Sequence, residues 1–422
     1  MKSTIIPDLC AGASKLKITP TEPVPLAGFY DRQGLSEGVH DDLFVRTVVF
    51  ESEGVEAVVI SLDICILTNP FWEDMIDKIG HAFPLTKRRV FMNATHTHGG
   101  PAVADPEGQG FMDISFLNPN PHIELQRRFT ESLKETILES IRVARGIVRP
   151  SRIGFATGSI DIGVNRREES PEGKAVAGVN PSGPVDRNLH VIKIDTLDGD
   201  TVALLYNNGA HGVSMMTREM TGDWPGLASQ EIEAALGGDA VAAYISGAAG
   251  DVNPVYRGVK SFDSPYGTAQ DLARTVKDEV MTVAEGIVPE YQGPIIAQQR
   301  EMTLPGKRYL GLIGFDPAYD ELAKDLSPAP PTELRMTALR IGELLIAGVN
   351  AEVFCEIGME FKEKSPFDNS FFAGNTNGYQ SYVLTDSEIA RGGYEYNASL
   401  ITEGGHRAIV DTLLDMAGEL RE

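Results

Sequence analysis

The feature that most constrains this chain is the recurrence of short, unbroken apolar runs of strand length, separated by amphipathic stretches of helix length. Residues 45–50, 57–62, 89–94, 202–206, 241–245 and 344–349 are rich in Val, Ile and Leu and carry little polar alternation. A strand covered on both faces reads this way, because neither face needs a polar position. Between these runs, residues 122–144, 224–236 and 269–286 repeat apolar side chains at three- and four-residue spacing, the pattern of helices packed on one face. The expected class is α/β, with mixed β-sheets and packed helices.

A length of 422 residues leaves the domain count open, and 42% hydrophobic with 23% charged residues is ordinary globular usage. The Gly/Pro-rich stretches 165–184 and 316–331 are read as loops, not linkers, because candidate site residues lie on both sides of each. One unit spanning residues 1–422 is expected, with no internal repeat. With 37 Lys and Arg against 60 Asp and Glu, the formal charge of −23 repels phosphate backbones and anionic headgroups. Nucleic-acid partners and stable membrane association are therefore not expected, and the oligomeric state is left open. Residues 1–20 lack the apolar core of a signal peptide, so a cytoplasmic, bacterial setting is expected. Cys10, Cys65 and Cys355 stand far apart without CxxC spacing and read as reduced, mostly buried thiols.

The run Asn93-Ala94-Thr95-His96-Thr97-His98-Gly99-Gly100-Pro101 follows an apolar strand and ends in a turn, where sheet-based sites lie. Two histidines two residues apart on a strand face the same way and can reach one ion, or an ion and its water. Either histidine could instead satisfy polar loop contacts. The flanking threonines, the glycines that admit close backbone approach to a ligand, and the lack of competing charge favour metal binding. A metallo-β-lactamase-like pair of ions would want an aspartate at position 100, which is Gly100, and no eightfold βα pattern supports an amidohydrolase barrel. His211 follows a second strand and is a natural third ligand, although a lone histidine there is more often one satisfied by local contacts. Asp223 reads as a helix cap. The 246–254 turn could offer N–H groups to an oxyanion or be a tight structural loop. Glu352 directly follows a buried strand, which is costly for a carboxylate unless it is paired or binds metal.

In this order, GASKLKITP at 12–20, PLAG at 25–28, His40-Asp41-Asp42, Asp63, the THTHGGP run, Asn165-Arg166-Arg167, GAAGDVNP at 247–254 and the closing tyrosine segment resemble the catalytic domain of the neutral/alkaline, non-lysosomal ceramidase family. The resemblance implies one zinc ion held by His96, His211, Glu352 and Tyr382. It places His98 as the acid or base beside the metal-bound water, Tyr394 as donor to the scissile carbonyl, and Arg166 in contact with substrate. The implied activity is hydrolysis of an N-acyl amide by metal-activated water, zinc lowering the pKa of water from about 16 toward 7.

Two departures shape the expected substrate. Asn253 stands where the family carries a serine, so a serine-based route is not expected. Glu422 follows soon after the tyrosine segment, leaving no room for the family's immunoglobulin-like domain, so a small soluble amide is expected in place of ceramide in a membrane. The alternatives keep the site with an ester, lactone or carbohydrate-linked substrate, or retain the scaffold as a non-catalytic binding protein. Loops 102–120 and 316–331 are expected to shape the substrate pocket.

Overall fold

Each apolar run forms a strand. The computed structural model describes residues 9–29, 32, 34–104, 122–255, 265–311 and 329–422. An eight-stranded mixed sheet runs in the order Val241–Ser246, Thr201–Asn208, Asn188–Thr196, Arg149–Ser159, Cys10–Lys17, Phe44–Ser52, Val55–Leu62, Val90–Ala94. Its two outermost pairs are parallel, Thr201–Asn208 with Val241–Ser246 and Val55–Leu62 with Val90–Ala94, and the inner pairs are antiparallel. A second sheet joins Ile295–Leu304, Thr332–Ile341, Leu344–Val349 and Asn369–Ala373, the last pair parallel.

Period-2 alternation explains why the runs are apolar throughout. Val58, Ile60 and Leu62 pack into a core with the helices Asn69–Ala82 and Ile123–Gly146, whereas Ala57 and Val59 face the second sheet. Leu204 and Tyr206 meet the helices Asp223–Leu236 and Pro265–Glu285, whereas Ala203 and Leu205 join the core between the sheets. In the second sheet, Leu344 and Ile346 face inward, and Leu345, Ala347 and Val349 face outward onto the helices Cys355–Lys364 and Gly405–Arg421. The result is four layers, helix, sheet, sheet, helix, in which both faces of each sheet are covered. The helices expected at 122–144, 224–236 and 269–286 are present.

Arg46 ties the first sheet to a helix. Its buried guanidinium lies 2.8 Å from both Asp63 and Glu233, so the loop after Leu62 is anchored to the Asp223–Leu236 helix. Removing one member of such a buried set costs about 3–5 kcal/mol. The stretch 165–184, read as a loop, carries the hairpin Gly163–Glu169 and Ala175–Asn180 and pairs with Val252–Pro254. Alternate burial along Gly163–Glu169 is what makes it a strand. Residues 316–328 of the stretch 316–331 lie outside the described residues. Among the described residues no helix is long and apolar enough to cross a membrane.

Candidate metal centre

The C-terminal ends of four strands meet at one place. Val90–Ala94 leads to His96, Thr201–Asn208 to His211, Leu344–Val349 to Glu352, and Asn369–Ala373 to the segment holding Tyr379 and Tyr382. The two-residue strands Glu352–Val353 and Tyr382–Val383 pair in parallel, with Glu352 opposite Tyr382. The first two exits belong to one sheet and the last two to the other, so the site lies where both sheets end.

The spacing argument for His96 and His98 is corrected by the backbone. The strand stops at Ala94, and His96 takes a left-handed conformation with φ 63°, a state that costs a non-glycine residue of order 1–3 kcal/mol. Surrounding bonds hold it: His96 N donates to Ile64 O at 3.1 Å and His98 N to Gly212 O at 3.0 Å. A Cβ on Gly212 would stand 2.8 Å from His96 O, so this crossing admits only glycine without a shift. The two rings still converge, with Nε2 atoms 3.3 Å apart, but through the turn and not through a shared strand face. Gly99 and Gly100, expected to admit a ligand, instead abut Thr221 and the Asp63–Ile64 backbone.

His96 Nε2 lies 3.3 Å and His211 Nε2 3.1 Å from Glu352 Oε2. The opposite nitrogens are committed: His96 Nδ1 is 2.8 Å from Cys65 O, and His211 Nδ1 is 3.2 Å from Val252 O. A carbonyl only accepts, so each Nδ1 carries the proton and each Nε2 lone pair faces Glu352. Tyr379 donates its hydroxyl to Glu352 Oε1, and Trp224 Nε1 donates to His211 O at 2.8 Å. All three ligand-type side chains are buried. A second, overlapping group brings Cys65 together with His96 and His98.

Electrostatics mark the focus. Burial opposes charge on His96, but the Glu352 carboxylate and the Cys65 thiol hold its pKa well above the imidazole norm. Burial also opposes charge on Glu352, which His96 and His211 hold well below the carboxylate range. Burial and Arg166 push His211 down to about 4. Burial, then the neighbouring His96 and His211, hold His98 well below the imidazole norm. Three buried acceptors facing one point need a cation among them, a proton or a metal ion.

The remaining expected residues gather around this point. Arg166 is half-buried and bonds Glu395 at 2.8 Å, Tyr382 Oη at 3.2 Å and Asn253 Oδ1 at 3.3 Å, and stands 3.4 Å from His211 Nε2. Tyr394 packs edge-on to Tyr382 with ring centroids 5.7 Å apart and is 42% exposed. Asn253, in the family serine's place, serves as an acceptor for Arg166. The 246–254 turn is structural: Gly247 N, Gly250 N and Val252 N donate to Asn208, Val353 and Ala249. Asp223 sits at the helix start but bonds Ser214 and Met215 N as well as Trp224 N, so it braces the loop after His211. Residues 105–120 of the expected pocket loop 102–120 lie outside the described residues. Sequence reasoning overlooked Tyr379, Cys65 and Glu395. The Tyr379-x-x-Tyr382 spacing was the available signal for the first, and the other two carry no local pattern.

The sequence model of the family described as neutral/alkaline non-lysosomal ceramidase, N-terminal, matches residues 10–291. The chain belongs to this family. Neutral ceramidase A of Dictyostelium discoideum is 28% identical over 244 residues, covering 53% of this chain and 32% of that protein. The matched part thus spans about a third of that relative's length. The neutral ceramidase of Pseudomonas aeruginosa is 22% identical across 97% of this chain and 72% of its own. The crystal structure of neutral ceramidase from Pseudomonas aeruginosa superposes with TM-score 0.81 at 20% identity, covering 98% of this chain and 74% of that one. The expected α/β architecture of the ceramidase catalytic domain is therefore the one observed. Glu352 and Tyr382 lie beyond the residues that the family model matches.

Proposed function

We propose that this ceramidase-family chain is a zinc-dependent hydrolase of an N-acyl amide, acting as one catalytic unit over residues 1–422. The observation that carries the reading is the convergence of His96 Nε2, His211 Nε2 and Glu352 Oε2 at 3.1–3.3 Å, with His98 Nε2 3.3 Å from His96. Two imidazoles with committed Nδ1 atoms and one carboxylate are a donor set suited to a catalytic zinc, and in this reading Tyr382 serves as a further ligand. A zinc ion held there supplies Lewis acidity and lowers the pKa of water from about 16 to about 7.

The chain's own residues supply the rest. His98, kept neutral at Nε2 by burial and by its neighbours, accepts the proton of the attacking water and returns it to the departing nitrogen. Tyr394, partly open to solvent, donates its hydroxyl to the carbonyl oxygen as negative charge develops there. Arg166, locked by Glu395, holds the Tyr382 hydroxyl and adds positive potential beside the site. The relatives' names point to ceramide, itself an N-acyl amide, and the substrate proposed here is that class with a small soluble member preferred.

Metal analysis and turnover on N-acyl amides test this together. About one zinc per chain is expected, with loss of bound metal and of turnover in both His96→Ala and Glu352→Ala. Stoichiometric zinc with turnover only of esters or lactones moves the bond cleaved. A chain that holds no stoichiometric metal overturns the reading.

A further inference from the structure

Cys65, the third member of the overlapping group with His96 and His98, is not used by that reaction. Cys65 follows the Val55–Leu62 strand, and its side chain is buried against the site. Its Sγ lies 3.9 Å from His96 Nδ1, while its carbonyl accepts from that same nitrogen. Ligand-type atoms of Cys65, His96 and His98 all fall within 4.8 Å of one another. His96 presents Nε2 to Glu352, which leaves Cys65 and His98 as the two members of this group not turned to that carboxylate, with ligand-type atoms within 4.8 Å of each other.

His98 differs from the other two histidines. Carbonyl oxygens hold the Nδ1 atoms of His96 and His211, whereas His98 Nδ1 is buried and has no hydrogen-bond partner among the described residues. The ring is held by shape: Phe29 packs edge-on at 4.9 Å, and the place of a Cβ on Gly28 would be 2.4 Å from His98 Cγ. Among the described residues no backbone carbonyl fixes its tautomer, so the same ring that can move a proton can also ligate an ion.

We propose that Cys65 and His98 form a second, inhibitory position for a thiophilic divalent ion such as Zn2+ or Cd2+, beside the His96, His211 and Glu352 centre. A thiolate with an imidazole selects soft and borderline ions over Mg2+ or Ca2+. On binding, the thiol proton leaves to solvent as the metal–sulfur bond forms, and water fills the other positions. An ion there occupies the His98 lone pair and removes it from proton transfer. The inhibitory consequence rests on the role given to His98 above, whereas the binding itself does not.

Protein carrying one zinc is titrated with Cd2+, following bound metal, ultraviolet thiolate-to-metal absorption and turnover. The expected result is a second equivalent that brings in the absorption band, with turnover falling about 10²-fold as it fills, the scale of a lost acid–base group. Cys65→Ser abolishes the band and the second equivalent. In the wild-type protein with two equivalents of zinc, X-ray absorption shows a sulfur scatterer at about 2.3 Å, a readout independent of any variant's folding. No sulfur scatterer, or a second equivalent retained by folded Cys65→Ser, overturns the site. A sulfur-bound second ion that leaves turnover intact keeps the site and overturns its inhibitory role. If the protein turns over no amide, the absorption and scattering arms still decide whether the ion binds.

Discussion

At the scale of single residues, the centre depends as much on what grips its side chains as on those side chains. Glu352 is buried with one carboxylate oxygen facing two imidazoles and the other accepting from Tyr379. Burial and the adjacent Glu352 raise the Tyr379 phenol well above its usual range, so it remains a donor. Tyr379→Phe removes that donor without removing a ligand, and zinc affinity measured by chelator competition should fall about 10- to 100-fold. Unchanged affinity would show that the carboxylate is positioned by the Glu352–Tyr382 strand pairing alone. Glu395 works one step further out: it pairs with Arg166 at 2.8 Å and also with Arg167, joining the tyrosine segment to the hairpin at 163–180.

At the scale of elements, the histidines of the candidate centre sit in loops clamped by other loops. Ala27 N donates to Gly100 O at 2.9 Å, Leu26 bridges to Pro101, and Arg32 donates to His98 O at 2.7 Å, so Leu26, Ala27 and Arg32 clamp the turn that carries His98. Gly28 has φ 102° and packs directly on the His98 ring, so a Cβ there is strained by conformation and by contact. Gly28→Ala should displace His98 while leaving His96, His211 and Glu352 in place. The expected outcome is full zinc content with kcat lowered by about 10²-fold, the cost of mispositioning a proton carrier. Loss of zinc in this variant would instead mean that the clamp supports the whole centre.

At the scale of the whole molecule, the centre is a junction between two sheets, because His96 and His211 leave the eight-stranded sheet and Glu352 leaves the four-stranded one. An ion bound there links the two halves, and it stabilises the native chain by about 3 kcal/mol when free zinc is near 100-fold above Kd. Dialysis against a chelator should lower Tm by about 3 °C, reversed by zinc and not by Mg2+. A Tm indifferent to chelation would mean that the sheets hold the junction unaided. Taken alone, the sequence determined the α/β class, the main strands and helices, and His96, His98, His211 and Glu352 as candidates. It could do so because periodicity, strand exits and the cost of a buried carboxylate are local properties. The resemblance added Tyr382, Tyr394 and Arg166. Only the tertiary structure decided the left-handed turn at His96, Tyr379 on Glu352, the Arg166–Glu395 lock and Cys65 beside two histidines. Each of these is a meeting of segments between 27 and 229 residues apart or a backbone state imposed by such a meeting, and neither leaves a repeating pattern along the chain.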